Sequence, residues 1–505
     1  MAEEIELKLT TSPDALAAVR AHPAVAAAKR GPMRTTRVES TYYDTPARAL
    51  EAAGVALRVR RAGRRWLQTA KGNGGAAAGL HRRAEFEWPL AEPRVDAAKL
   101  ARTPWRKLFA QHARSCRPLF ATTFQRSAQP LAFSDGTRAT LCLDVGEIRA
   151  GRRHVPLTEI ELELAHGDPA RLFELAAALV SDLPARVAVS SKAQRGYALA
   201  NREPVAPRRA KDLPLDPEVT ASKAVALAGG DCLGQIEVNA EGMLASDDPE
   251  FLHQLRVGWR RLRSLLKLSA LLVPAEKIAL LEQELDWVGA VLGPARDWDV
   301  FAIETLPRIA AQFRGSRELA RLRARVARRR RRLRAAAREL LVTARFQRLL
   351  LALGAFFVEL EKVPVAGGSA VHAREWIRPL LQARDRKLRK RVRGAERLDS
   401  GERHRARVAA KKVRYAAEFF RSLFPGKRSD AYIAALARLQ GVLGRLNDLL
   451  VAGRLLDELL PTLPDPGLAH AAGVVRGWVA ASTAPELERL RQLRKRFAAC
   501  AAFWD

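Results

Sequence analysis

The chain of 505 residues is 48% hydrophobic and 28% charged, a globular balance that excludes a largely disordered polypeptide. Its 87 Lys and Arg outnumber 55 Asp and Glu, and the formal charge of +32 disfavours acidic partners. That field leaves polyanions open: nucleic acid, polyphosphate or an anionic membrane surface. Arg and Ala are used heavily throughout, so part of the excess is compositional and only clustered cations carry an argument. Cys116, Cys142, Cys232 and Cys500 form no CxxC pair and read as free thiols in a reducing compartment. No apolar stretch precedes the first charges, and no window reaches the roughly 18 apolar residues of a spanning helix. The expectation is a cytoplasmic protein with no membrane partner.

Residues 1–200 mix short alternating strands with helical stretches. In Glu4-Ile5-Glu6-Leu7-Lys8, period-two alternation puts the charges on one face and the aliphatics on the other. The form recurs in Leu57-Arg58-Val59-Arg60, in Glu85-Phe86-Glu87-Trp88, and in Glu159-Ile160-Glu161-Leu162-Glu163-Leu164. One such strand fits a sheet with its polar face in water. Several, with polar faces almost wholly ionised and of both signs, fit a closed barrel with a charged lumen. Its apolar outer face would be covered by amphipathic helices such as those near 97–113 and 168–181. Charges in a lumen must be paired, hydrated or liganded. Carboxylates suit a hard cation such as Mg²⁺ or Mn²⁺, and guanidinium forks suit phosphate oxygens. The glycines of Lys71-Gly-Asn-Gly-Gly75 lack the GK[ST] ending of a P-loop.

A Pro-rich segment within 201–221 reads as a linker, and from 222 to 503 the pattern is helical. A break at 363–369 divides the helical part into repeats of about 222–362 and 370–503. His253-Gln-Leu-Arg256-Val257-Gly-Trp-Arg260-Arg261-Leu-Arg263 matches His404-Arg-Ala-Arg407-Val408-Ala-Ala-Lys411-Lys412-Val-Arg414, and Leu292-Gly293-x-x-Arg296-Asp297 matches Leu443-Gly444-x-x-Asn447-Asp448. Both matches share one offset of 151 residues (404−253 and 448−297), which identifies a duplicated unit. On a helix, His253, Arg256, Arg260, Arg263 and Lys267 fall within about 80° of arc, beside an apolar stripe of Leu255, Trp259, Leu262 and Leu266. The repeat aligns His404, Arg407, Lys411 and Arg414. A solvated face would carry acidic partners at i,i+4; few are available here, Glu418 at the end of the second stripe being one, so the stripes favour a polyanion site. The histidines lack metal-ligand partners in sequence, leaving anion contact or helix capping. Further basic runs, 321–332 and Arg384-Asp-Arg386-Lys387-Leu-Arg389-Lys390-Arg391, are less specific.

The ordered series from Glu4-x-Glu6-x-Lys8 through Tyr42-Tyr-Asp44-Thr45-Pro46, Arg58-Val-Arg60, Thr69-Ala-Lys71-Gly72, Arg83-Ala-Glu85-Phe-Glu87, Asp144, Glu159-x-Glu161-x-Glu163 and Ser191-Lys192 resembles the CYTH, or triphosphate tunnel metalloenzyme, family over residues 1–200. The resemblance implies an eight-stranded antiparallel β tunnel that hydrolyses inorganic triphosphate or a related triphosphate with Mg²⁺ or Mn²⁺. It casts Lys8, Arg58, Arg60, Lys71, Arg126 and Lys192 as phosphate ligands. It casts Glu4, Glu6, Asp144, Glu161 and Glu163 as metal or water ligands, with Glu4, Glu6 and Lys8 catalytic. Glu85 and Glu87 would pair with the cations. Residues 222–503 resemble a CHAD domain, an all-α pair of helical bundles whose basic stripes (His253, Arg256, Arg260, Arg263, His404, Arg407, Lys411, Arg414) line a shared groove. The implied ligand is inorganic polyphosphate and the implied location polyphosphate granules. The whole is thus an α+β tunnel followed by a helical domain, read as a triphosphatase. The alternative is a non-catalytic polyphosphate binder. A nucleic-acid reader is disfavoured, because the stripes lack interleaved aromatics for stacking on bases.

Overall fold

A computed structural model describes residues 2–72, 74–202, 205–363, 371–459 and 465–504. They fall into two compact units: residues 1–207 with 342–359, and residues 208–341 with 360–505.

The first unit is built on strands β1 (Ala2–Thr10), β2 (Arg34–Asp44), β3 (Val55–Ala62), β4 (Arg65–Gly72), β5 (Gly75–Ala77), β6 (Leu80–Leu90), β7 (Arg117–Ala132), β8 (Arg138–Ala150), β9 (Arg153–His166) and β10 (Arg186–Val187). Pairing runs β1-β9-β8-β7-β2-β3-β4-β6 and returns to β1, so eight antiparallel strands among the described residues close a barrel. β5 and β10 are short additions to β6 and β1. The helices of this segment are α1 (Pro13–Ala21), α2 (Pro23–Ala28), α3 (Ala49–Ala52), α4 (Ala97–Leu100), α5 (Arg106–His112), α6 (Ala170–Asp182) and α7 (Lys192–Asn201). Leu100 and Phe109, from α4 and α5, pack with Leu57 and Ala70 on the outer face of the barrel. α6 buries Leu172, Phe173, Leu175, Leu179 and Val180. The expected amphipathic cover is therefore present.

The Tyr42-Tyr-Asp44-Thr45-Pro46 sequence ends β2 in a turn organised by one buried carboxylate. Asp44 Oδ1 accepts from the amides of Thr45 (2.6 Å) and Leu50 (3.0 Å), and Oδ2 from that of Glu51 (2.9 Å). The Leu50 and Glu51 amides lie in the first turn of α3, where an acceptor satisfies otherwise orphan N–H groups.

The helices of the remaining chain are α8 (Ala221–Ala245), α9 (Pro249–Ser269), α10 (Ala275–Val300), α11 (Leu306–Gln312), α12 (Arg317–Val342), α13 (Ala344–Lys362), α14 (Ala373–Val392), α15 (Ser400–Phe420), α16 (Lys427–Leu459) and α17 (Pro466–Ala498). Adding 151 to the bounds of α9 gives 400–420, which are the bounds of α15. α8 corresponds in the same way to α14, α10 to α16 and α12 to α17, each within a few residues at its N-terminal bound. The duplication is thus a repeat of helices as well as of motifs. α13 has no full counterpart, and most of it clusters with the barrel. There, Gln347 Oε1 accepts from the Val187 amide at 2.8 Å, and Gly354 abuts Ala78 and Phe173. The break expected at 363–369 lies, beyond Val363, outside the described residues. Among the described residues no single helix is long and apolar enough to cross a membrane. Cys116, Cys142 and Cys232 are buried free thiols, and Cys500 is half-buried.

Asp44→Ala should destabilise the barrel unit by about 2–4 kcal/mol, since it orphans three amides at a buried turn, while Asp44→Asn should recover part of that. Urea unfolding followed by the fluorescence of Trp66, Trp88 and Trp105 reads the effect.

Candidate active site and basic groove

Strand parity aims the charged faces inward. The lumen holds a cavity of about 560 Å³ lined by Glu4, Glu6 and Lys8 from β1, Arg58 and Arg60 from β3, and Lys71 from β4. β6 adds Arg83, Glu85 and Glu87, β7 adds Arg126, β9 adds Glu161 and Glu163, and the first residue of α7 adds Lys192. All the residues expected to bind phosphate therefore meet in one cavity, as do four of the five expected acidic ligands.

The fifth, Asp144, lies elsewhere. It is fully buried on the inward face of β8, opposite Arg126, which donates to both its oxygens (Nε and Nη2, 2.8 Å each), and Lys192 Nζ stands 2.8 Å away. Glu159 is buried beside it and accepts from Lys192 (2.7 Å) and Arg195 (2.8 Å). These two carboxylates hold Arg126 and Lys192 from behind. From the lumen side Arg126 also donates to Glu163 (2.8 Å) and to Glu161, and Lys192 to Glu161 (2.8 Å). Burial alone would raise the Glu161 carboxyl, but Lys192, Lys8 and Arg126 hold it well below the usual range. Lys192 is likewise kept charged against burial, by Asp144, Glu159 and Glu161.

A second cluster lies across the cavity. Glu4 accepts from Lys71 through both oxygens (2.8 and 2.7 Å), Lys71 is 3.1 Å from Glu85, and Arg60 donates to Glu87 at 2.6 Å. Glu85 and Glu87 thus pair with the cations, as expected. Nε of Arg58 and of Arg60 is buried without a partner. Two ionisable lining residues escaped the sequence assignment. Arg83 shares the parity of Glu85 and Glu87, a signal that was available. Tyr42 stands opposite Arg58 in the β2–β3 register; although burial raises its phenol, Arg58 and Lys71 hold it below its ordinary value.

Carboxylate oxygens of Glu6, Glu161 and Glu163 lie within 4.8 Å of one another. Glu6 and Glu163 are directly opposed across the β1–β9 ladder, an arrangement that is unfavourable for like charges. Glu6 Oε1 is 3.0 Å from Lys8 Nζ and 3.5 Å from Arg83, yet aligned with neither as a hydrogen bond. Glu163 is raised by burial and, despite Arg126, by Glu161, Glu6 and Glu4. Three converging oxygen donors with residual repulsion and an unused lone pair fit a hard divalent cation.

In the helical unit, Arg256 and Arg260 of α9 face Arg407 and Lys411 of α15. Burial, then Arg260, Arg407 and Arg256, push the Lys411 ammonium down to about 6, against the pull of Asp448. Arg256 is pushed down to about 10 by burial and by Arg260, Arg296 and Arg407. Nε of Arg260 and of Arg407 is buried without a partner. The stripes are not uniform, because Arg263 meets Asp286 of α10 at 2.5 Å and Arg414 meets Glu418 at 2.6 Å. His253 and His404 lie inside their helices, whose N-caps are Asp248 and Asp399, so neither caps a helix start. His404 Nδ1 is 3.3 Å from Asn447 Oδ1, and His253 is lowered by burial and Arg296. Asp297 pairs with Arg454 (3.0 Å) across the two repeats.

Two family models match the chain, the CYTH domain at residues 2–197 and the CHAD domain at residues 228–457. An inorganic triphosphatase from Haemophilus influenzae is 30% identical over 205 residues, 40% of this chain and 56% of that protein. The chain thus spans little more than half the length of that relative. The crystal structure of the CHAD domain from the plant Ricinus communis is 39% identical, with a TM-score of 0.50, covering 57% of this chain and 96% of that one. The chain therefore carries a CYTH domain followed by a CHAD domain.

Proposed function

We propose that the tunnel hydrolyses inorganic triphosphate or a closely related triphosphate with Mg²⁺ or Mn²⁺, and that the helical domain binds polyphosphate. The observation that carries the first part is the convergence of Glu6, Glu161 and Glu163 in one cavity with Lys8, Arg58, Arg60, Lys71, Arg126 and Lys192. The activity of the Haemophilus influenzae relative supports the same reading.

Glu6, Glu161 and Glu163 would hold the cation. When bound, a divalent cation neutralises phosphate charge and acidifies a coordinated water. Arg58 and Arg60, with unpartnered Nε groups, offer guanidinium forks to phosphate oxygens. Arg126 and Lys192 are held by Asp144 and Glu159, which keeps their charge in place beside the phosphates. Glu4, held by Lys71, would orient water once a phosphate draws Lys71 away. Asp144 acts in this scheme by positioning Arg126 and Lys192. The barrel wall lowers the local dielectric around the anhydride and strengthens these interactions.

In the helical domain, linear polyphosphate supplies the negative charge that Arg256, Arg260, Arg407 and Lys411 lack. The unpartnered Nε groups of Arg260 and Arg407 support that reading. A chain with charge at every unit and no base suits a groove without stacking aromatics.

Two variants should separate the functions. Glu6→Gln should lower metal-dependent phosphate release from triphosphate by about 100-fold, the size of losing one charge-positioning group, and leave polyphosphate binding intact. Arg256→Glu with Arg407→Glu should weaken polyphosphate binding by about 100-fold, since each loses a charged hydrogen bond, and spare hydrolysis. Release that survives EDTA would refute the metal assignment. No release from triphosphate, ATP or polyphosphate by the unaltered protein, with tight polyphosphate binding, would make the chain a binder.

Polyphosphate binding should also take up a proton. The Lys411 pKa is depressed from 10.5 to about 6 in the folded protein, so at pH 7.5 the free ammonium is mostly deprotonated. In that window the unfolded chain holds the proton more tightly, so this residue's contribution to stability falls as pH drops from 10.5 to 6. Bound phosphates reverse the shift, so uptake should approach about one proton and affinity should decline as pH rises. Calorimetric titrations in buffers of different ionisation enthalpy measure the uptake, and Lys411→Met should abolish it.

A further inference from the structure

The basic run 384–391 lies on α14, and four of its six cations fall into two distinct settings. Arg389 is fully engaged: it donates to Asp385 (2.6 Å) and to the carbonyls of Ala498 (2.9 Å) and Cys500 (2.8 Å), over the ring of Phe497. Arg384, Lys387 and Arg391 follow one another at i, i+3 and i+7 along another face. They meet Lys267 of α9 and Lys412 of α15 around a cavity of about 210 Å³. Five of its lining residues are cations and none is acidic. Lys267 alone approaches a carboxylate, Glu282, at 4.0 Å. Among the described residues Arg384, Lys387, Arg391 and Lys412 form no ion pair. Arg384 and Arg391 each donate one N–H to an α15 carbonyl, of Lys412 (3.2 Å) and Arg405 (3.3 Å), which fixes the guanidiniums at the cavity wall.

This cavity is separate from the groove. Lys411 and Lys412 are consecutive on a helix and so point about 100° apart. Lys411 faces Arg260, Arg407 and Arg256, whereas Lys412 faces Lys267, Arg384, Lys387 and Arg391.

The duplication supplies an internal control. At the offset of 151, Arg384, Lys387 and Arg391 correspond to Leu233, Ile236 and Ala240, all buried apolar residues of α8. Lys267 corresponds to Glu418, and Lys412 to Arg261, which is paired with Asp231. The same helices therefore pack in the first repeat without this charge, so the fold does not require it. Five like charges around one hollow repel one another, and burial further lowers Arg384 and Lys412. A bound anion turns that repulsion to attraction.

We propose that the cavity between α9, α14 and α15 is a second anion site, selective for the clustered oxyanions of a phosphoanhydride. Its size admits a few linked phosphates. The ligand is either a free short anion such as pyrophosphate or triphosphate, or a segment of a longer polyphosphate chain. The proposal needs neither turnover in the tunnel nor occupancy of the groove.

Acylation of Lys412 in the full-length protein, read by peptide mass spectrometry in EDTA, tests it with pyrophosphate, triphosphate and long-chain polyphosphate as probes. Protection by the short anions, retained when Arg256→Glu and Arg407→Glu disable the groove, would support the site with a free anion as its ligand. Protection by the long chain alone would support it with a chain segment as its ligand. In either case Arg384→Leu, Lys387→Ile and Arg391→Ala together, which install the first repeat's residues, should abolish protection and leave tunnel hydrolysis unchanged. Lys387→Ile alone should weaken it severalfold if the triple variant folds poorly. Lys412 labelling unaffected by every probe, or protection surviving in the folded triple variant, would overturn the proposal.

Discussion

The pairing of β1 with β6 is the contact on which the first unit depends. It converts the polar face of an antiparallel sheet into the wall of a lumen, and the inward charges then lose most of their access to bulk water. A buried ion survives only when paired or liganded. The network behind the cavity follows from that constraint: Asp144 and Glu159, fully buried, are balanced by Arg126, Lys192 and Arg195. Toward the cavity the compensation is incomplete, with Glu6 opposed to Glu163 and the guanidiniums of Arg58 and Arg60 not fully satisfied. Incomplete pairing on one side of a rigid, fully paired layer is what distinguishes a site from a structural salt-bridge core.

The helical unit meets the opposite problem. Its groove has cations in excess and too few carboxylates, and the depressed Lys411 and Arg256 are the electrostatic record of that excess. Packing sustains it: Leu255, Trp259, Leu262 and Leu266 are buried on the adjoining face of α9, and the Trp259 indole donates to the Leu285 carbonyl at 3.0 Å. Burial of large apolar side chains, about 1.5–3 kcal/mol each, outweighs repulsion of a few tenths of a kcal/mol per charge pair. The helix can therefore hold unpaired charge toward a ligand.

Much of this was legible in the sequence because two periodicities are simple. Period two on β1, β3 and β9 places Glu4, Glu6, Lys8, Arg58, Arg60, Glu161 and Glu163 on lumen-facing positions, and the 151-residue offset predicts the α9–α15 correspondence. Parity does not say how deep along the tunnel a residue sits. Glu159 shares the parity of Glu161 yet is sealed beneath α7, and Asp144 faces Arg126 in the β7–β8 register without reaching the cavity. Partners contributed by another helix were equally hidden. Arg263 looked free on its own stripe, but α10 brings Asp286 to it.

Membership of a compact unit is harder to read, because it depends on a close approach rather than on a pattern. α13 follows the basic helix α12 in sequence, yet most of it clusters with the barrel. The approach relies on a missing side chain: a Cβ on Gly354 would stand 2.3 Å from that of Ala78 and 2.6 Å from the Phe173 ring. The loop it touches is not remote from the site. The carbonyl of Gly79 accepts from the Lys8 amide, and the Lys8 carbonyl accepts from the Ala188 amide, both at 2.9 Å. Ala78 and Val187, the residues α13 meets, are the immediate neighbours of those two. Strand β1 is thus braced at Lys8 by two segments that a helix from beyond residue 340 covers, and the geometry of the lumen depends on more of the chain than the strands that line it.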